Sequence, residues 1–304
     1  MNLLMSLAAV SSAVTIAGPQ GPIEGTFVDS GRGAPVVVIL PGSGPTDRDG
    51  NNSLGVRAAP YRLLAEALAA RGISSVRADK RGMFGSKAAI PDANKVTLAD
   101  YAADARAWAS LAATRSGSAC AWLLGHSEGG LIALTAAQQA KGICGVILVA
   151  SPGRKMGDIL RDQLRANPAN APLLDAALAA IVELEAGRRV DVTGMNPALL
   201  PLFAPAVQDY LIDLMATDPA LLAASLDVEL LLIQGGEDLQ VTDADAAALH
   251  AAQPSARLVR IAGMNHVLKP VPPGDRAANF AAYADPALAL EPKMVEAIVA
   301  FVAN

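Results

Sequence analysis

Six short apolar runs recur along the chain without the alternation of a half-exposed strand. They are Pro35–Leu40 (PVVVIL), Ile73–Ala78 (ISSVRA), Ala121–Gly125 (AWLLG), Gly145–Ala150 (GVILVA), Glu229–Gly235 (ELLLIQG) and Ala256–Gly263 (ARLVRIAG). Strands covered on both faces read this way, and parallel sheets sandwiched between helices produce them. Helical patterns lie between the runs, over 58–71, 98–115 with Thr97 as N-cap, 129–141 and 243–253, and a last helix over 292–302 closes the chain. Strand and helix in steady alternation predict an α/β fold, a mostly parallel sheet flanked by helices. Ahead of it, Val14–Ile16 and Ile23–Val28 flank the turn-rich GPQGP and predict an N-terminal β-hairpin.

One interval breaks the rhythm. From Gly153 to Asp227 the chain shows helical segments and no strand, punctuated by prolines at 168, 172, 197, 201, 205 and 219. A structureless loop of that length is improbable in a compact domain, so we expect an inserted helical cap over the mouth of the sheet. The expected division is a core of residues 14–152 and 228–304, a cap of 153–227, and an arm or signal segment of 1–13. Met1–Ala13 has an apolar middle and a small-x-small end, as a signal peptide does, but lacks a basic start.

Composition fills in the picture. Hydrophobic residues make up 52% of the 304 residues and charged residues 17%, ample for a large core, while only 4% is aromatic, so Ala, Leu and Val must build it. The net charge of −5 comes from scattered charges of both signs, with no basic block for nucleic acid and no basic amphipathic helix for a membrane surface. No internal stretch has the roughly 18 uninterrupted apolar residues of a membrane span, so membrane insertion is not expected. Two cysteines define neither a disulfide framework nor a metal site in such a chain.

The strongest chemical signal is Gly125-His126-Ser127-Glu128-Gly129-Gly130, directly after one apolar run and opening a helix. That context turns a G-x-S-x-G pattern into a nucleophile elbow. The sharp reversal forces Ser127 into a strained conformation and requires neighbours without bulk at 125 and 129. The serine needs a base, and there are three histidines. His126 lies inside the elbow, where its side chain should point away from the hydroxyl. His250 sits in an alanine-rich helix. His266, in AGMNH just past the last strand, is at the carboxyl edge, where sites of open α/β sheets assemble. Asp238, in GGEDLQV after the preceding strand, is the acceptor that would fix the imidazole tautomer. Glu237 is the adjacent alternative, while Asp243 and Asp245 read as helix N-terminal charges. A tetrahedral intermediate also needs amide donors. The Glu128 N–H would be one, and the loop Pro41–Pro45 after the first parallel strand would supply the other, Ser43 ahead of Gly44.

The segments GHSEGG, GGEDLQV and GMNH resemble the α/β-hydrolase superfamily, in which the triad runs Ser, Asp, His along the chain. More narrowly, PGSGPTDRDGNN (Pro41–Asn52) with DKRGMFGS (Asp79–Ser86) looks like a bacterial group of esterases and serine aminopeptidase-like hydrolases. The 202–222 segment also looks like that group, so the likeness runs over most of the chain from Val14 onward. The resemblance implies the α/β-hydrolase fold and hydrolysis of short-acyl carboxylic esters. One departure is that the usual HG before the oxyanion donor is PG here, so no histidine side chain should brace that loop. Arg48, between Asp47 and Asp49, is expected to be an internal brace of the loop rather than a substrate contact, and Arg81 likewise.

The expected chemistry is therefore metal-free and cofactor-free acyl transfer from a small ester to water. The same-fold alternatives are an aminopeptidase, with Glu183 and Glu185 as candidates to hold an α-amino group, and a thioesterase. A hydrolase-fold binding protein is the non-enzyme alternative, but it would have no reason to keep a serine, a histidine, an acid and an oxyanion loop together. Cys120 lies five residues before Gly125 and Cys144 five before Val149, at matching depths in strands expected to be adjacent. Regular parallel neighbours aim such side chains alongside each other. We therefore expect two buried free thiols and a cytoplasmic protein, the alternative being a bridge in a periplasmic or secreted one.

Overall fold

The computed structural model describes residues 10–303. The strands are β1 (Val10–Ala17), β2 (Pro22–Asp29), β3 (Val36–Leu40), β4 (Ser74–Ala78), β5 (Ala121–His126), β6 (Ile143–Val149), β7 (Glu229–Gly235) and β8 (Arg257–Ile261). They form one sheet in the order β1-β2-β4-β3-β5-β6-β7-β8. β3 to β8 are mutually parallel; the β1–β2 hairpin joins antiparallel through β2 against β4. The six apolar runs are the six parallel strands. The hairpin is longer than its apolar pattern, because β1 begins at Val10 and takes in Ser11–Ala13 of the segment read as an arm or signal. Met1–Ala9 of that segment lies outside the described residues.

Both faces of the parallel strands are covered, which explains their lack of alternation. Val36, Val38 and Leu40 of β3 pack with Leu123, Val146, Leu148 and Leu232 on one side. Val37 and Ile39 pack with Leu124, Ile147, Val149 and Ile233 on the other. Each such side chain contributes roughly 1.5–3 kcal/mol when fully buried. The first face is roofed by α2 (Leu98–Ser116) and α3 (Glu128–Ala137), the second by α1 (Pro60–Ala69) and α11 (Pro292–Val302). Thr97 caps α2 in a reciprocal box with Asp100.

Between β6 and β7 run α4 (Met156–Ala166), α5 (Leu174–Glu185), α6 (Leu200–Phe203), α7 (Gln208–Ala216) and α8 (Pro219–Ala224). They share an apolar cluster of their own, with Leu160, Ile181, Leu184, Phe203 and Met215 around Ala177 and Ala180. Further on come α9 (Asp243–Ala252) and α10 (Arg276–Ala281). Six residues give α10 less than two turns, too few for a readable period.

The cysteines correct an expectation. Cys120 and Cys144 are bridged, with Cα atoms 5.3 Å apart, and both are half-buried rather than buried free thiols. The depths do not match as the spacing suggested: Gly125 pairs with Leu148, not Val149. The register then slips between Ala121, which pairs with Ile143, and Trp122, which pairs with Gly145. Cys144 is the skipped residue. A bulge releases a side chain from the pleat, so Cys144 is free of the parallel aim that disfavours bridging neighbouring strands.

Candidate active site

The chain runs from β3 outward to β4 on one side and returns to β5 on the other. Loops leaving β3 and β5 therefore part at the carboxyl edge and open a crevice there. Ser127 stands at the end of β5 with φ 54° and ψ −128°, a conformation that costs about 1–3 kcal/mol and persists only where packing imposes it. Backbone imposes it here. A Cβ on Gly125 would sit 2.2 Å from the Gly129 carbonyl oxygen, and one on Gly129 would sit 2.3 Å from the Leu40 carbonyl oxygen on β3. Ser127 is also the N-cap of α3, at the helix N-terminus, where developing negative charge is favoured.

His266 and Asp238 arrive on loops that are tied together, the Glu237 N–H donating to the Met264 carbonyl at 3.0 Å and Gly236 to Ile261 at 2.9 Å. His266 Nδ1 lies 2.8 Å from Asp238 Oδ2, and because a carboxylate only accepts, the proton is on Nδ1. The other carboxylate oxygen accepts the Gln240 and Val241 amides at 2.8 and 2.9 Å, which fixes the acid. Both side chains are buried. Glu237 turns elsewhere and accepts the Gly274 amide at 3.0 Å. His250 is on α9 and does not line the cleft. Ser127 and His266 line one cleft of roughly 320 Å³, and among the described residues no hydrogen bond yet joins the Ser127 hydroxyl to the imidazole. Such contacts commonly tighten only with substrate in place.

The oxyanion loop is braced, and a histidine takes part after all. The Gly42 amide donates to the Tyr61 hydroxyl at 3.0 Å, and that hydroxyl lies 2.8 Å from His126 Nδ1. His126 Nε2 lies 2.8 Å from the His266 carbonyl oxygen. A carbonyl can only accept, so Nε2 carries the proton and Nδ1 accepts from Tyr61. One chain of hydrogen bonds thus joins the β3 loop, the elbow and the His266 loop. Burial, followed by the neighbouring His266, pushes the His126 imidazole down to about 3, so it is neutral in this role. The elbow position pointed to a ring aimed away from the serine, but its partner Tyr61 carries no motif and only the fold brings it near.

Arg48 is a brace as expected, its guanidinium and amide meeting Asp79 at 2.5–2.9 Å and Glu24 at 3.2 Å. Asp49 pairs with Arg77, and Arg81 holds Asp100 and Asp104 on α2. The Glu128 side chain reaches the inserted helices, its buried carboxylate accepting the Tyr210 hydroxyl of α7 at 3.0 Å. Asp243 pairs with Arg260; Asp245, beyond its place in the α9 capping box, is fully buried against Arg154, a contact its helix-start pattern did not announce. Ser43 and Gly44 line the cleft beside Ser127, and an added Gly42 Cβ would stand 3.2 Å from the serine Cβ. Among the described hydrogen bonds neither the Ser43 nor the Glu128 amide has a protein acceptor.

The model of the alpha/beta hydrolase family matches residues 37–283. Esterase EstD of Thermotoga maritima is 32% identical over 242 residues, 76% of this chain and 53% of that protein. The chain thus spans about half the length of the curated relative it matches. Among solved structures, an esterase from Exiguobacterium antarcticum superposes with a TM-score of 0.58 at 17% identity, over 96% of this chain and 99% of the other. A thermophilic esterase from Thermogutta terrifontis (malate bound) gives 0.57 at 18% identity, over 96% and 98%. At such identities the likeness shows the shared fold.

Proposed function

The chain belongs to the alpha/beta hydrolase family, and on that premise we propose that it is a serine carboxylic ester hydrolase acting on small, short-acyl esters. The observation that carries this reading is the strained Ser127 at the crevice, sharing its cleft with a His266 held by Asp238. Ser127 Oγ attacks the ester carbonyl while His266 Nε2 takes its proton, and Asp238 holds the resulting imidazolium. The oxyanion is received by the Ser43 and Glu128 amides. Collapse expels the alcohol, which leaves with the proton from His266. Water, activated by the same imidazole, then releases the acid from the acyl-serine.

A cleft of roughly 320 Å³ with no charged side chain in its lining supports a small neutral ester. An aminopeptidase would need a carboxylate for the substrate amine. Glu183 and Glu185 do not line this cleft and are paired with Arg188 and Arg161. The bridge between Cys120 and Cys144 favours an oxidising compartment, periplasmic or extracellular, over the expected cytoplasm. The test is a panel of p-nitrophenyl esters beside aminoacyl p-nitroanilides. Hydrolysis of short-chain esters, lowered at least about 1,000-fold in Ser127→Ala and His266→Ala, is expected. Turnover that survives Ser127→Ala refutes the reading.

A further inference from the structure

Lys80 is two residues past the end of β4 and is buried, 7% exposed, beneath the oxyanion loop. A buried ammonium is costly unless it is paired and hydrogen-bonded. Its Nζ donates to the Gly42 carbonyl at 2.8 Å, lies 3.7 Å from Glu128 Oε1 and stands 5.6 Å over the Tyr101 ring. Burial lowers its proton affinity and Glu128 opposes that shift.

The Gly42 carbonyl belongs to the same peptide unit as the Ser43 N–H. In a trans peptide these two groups point in opposite directions, and no cis bond occurs among the described residues. Lys80 lies behind the loop, lining a small apolar cavity with Leu40 and Pro41, while Gly42 and Ser43 line the cleft on the other side. Holding the carbonyl from behind therefore turns the Ser43 N–H toward the cleft. The Gly42 N–H is engaged separately by Tyr61, so the peptide units on both sides of Gly42 are fixed. A charged donor on a carbonyl also polarises the peptide and strengthens its N–H as a donor. Glu128, the counter-charge, carries the other oxyanion amide on its own backbone, so one ion pair underlies both donors.

We propose that Lys80 is a positioning residue of the oxyanion hole, its ammonium orienting and polarising the Gly42–Ser43 peptide so that the Ser43 N–H meets the developing oxyanion. This rests on the esterase reading above. It predicts a loss confined to the transition state, because a ground-state ester carbonyl gains little from the donor.

The experiment compares wild type with Lys80→Met, which keeps length and loses the donor. A short-chain p-nitrophenyl ester and an alkyl trifluoromethyl ketone, which adds Ser127 Oγ to form a tetrahedral hemiketal, are the probes. Lys80→Met should lower kcat by about 100-fold with little change in KM, and weaken the ketone by a similar factor. A folded Lys80→Met with kcat and ketone affinity near wild type overturns the inference and leaves the esterase reading standing. A wild type that neither hydrolyses the ester nor binds the ketone refutes the esterase reading instead. Should Lys80→Met not fold, the Ser43 amide proton of the wild type is followed by NMR. A downfield move on hemiketal formation supports the assignment, and an unmoved resonance overturns it.

Discussion

His126 shows how much one buried ring controls at the residue scale. It holds the His266 carbonyl with one nitrogen and, through Tyr61, the Gly42 amide with the other. Tyr61 donates into Nδ1, so that nitrogen has no free lone pair for a second proton. With its folded value depressed to about 3 from an ordinary 6.5, the unfolded chain protonates first as pH falls. Its contribution to stability is thus intact above about pH 6.5 and is lost progressively down to about pH 3, at roughly 1.4 kcal/mol per unit. Urea unfolding at pH 7 and pH 5 should show wild type losing about 2 kcal/mol more than His126→Gln over that interval. Equal losses in the two proteins would exclude a proton-free His126 as the cause. The sequence singled out Ser127, His266 and Asp238 as candidates because each follows a readable strand end. It did not reveal the brace, because Tyr61 is one more aromatic in an amphipathic helix until folding sets α1 beside the elbow.

At the scale of elements, the elbow and the bridge are both decided by how backbones meet. Gly125 and Gly129 allow β5 and α3 to press against each other and against β3, and the displaced chain lifts Ser127. The slip between Ala121 and Trp122 sets Cys144 free to reach Cys120. The bond closes a loop with a sequence separation of 24, so reducing it or making Cys120→Ser should cost roughly 2–4 kcal/mol. Denatured, non-reduced protein should show no reactive thiol against a colorimetric disulfide reagent, and two reactive thiols would contradict the bridge. Apolar periodicity carried the strands and long helices, since burial on both faces is written in composition. A one-residue register slip leaves every side chain apolar and changes only which atoms face each other, so no pattern in the chain announces it.

Across the whole molecule, the cleft walls come from residues within 42–61 after β3, the elbow at His126 and Ser127, Gln240 after β7, and His266, Val267 and Tyr283 before α11. The Arg57 amide donates to the Tyr283 carbonyl at 2.7 Å, and Gln240 Nε2 to the Tyr283 hydroxyl at 2.9 Å, closing that rim. No lining residue belongs to the inserted helices, which were expected to lie over the mouth of the sheet. Leu54→Ala and Tyr283→Ala should therefore shift the preference between four- and eight-carbon acyl esters by about tenfold in kcat/KM ratio, the worth of a methylene or two. Val182→Ala, at an exposed position of α5, should leave the ratio as it is, and a larger effect there would return size selection to the inserted helices. By itself the sequence determined the α/β layering, the parallel strands, the elbow and the order of serine, acid and histidine, because all of these rest on local periodicity, glycine content and position at strand ends. Only the tertiary structure decided the bridge, the Tyr61–His126 brace, the Lys80 contact and the walls of the cleft. Each joins residues from separate elements, and their distance is set by strand order and register rather than by anything local to the chain.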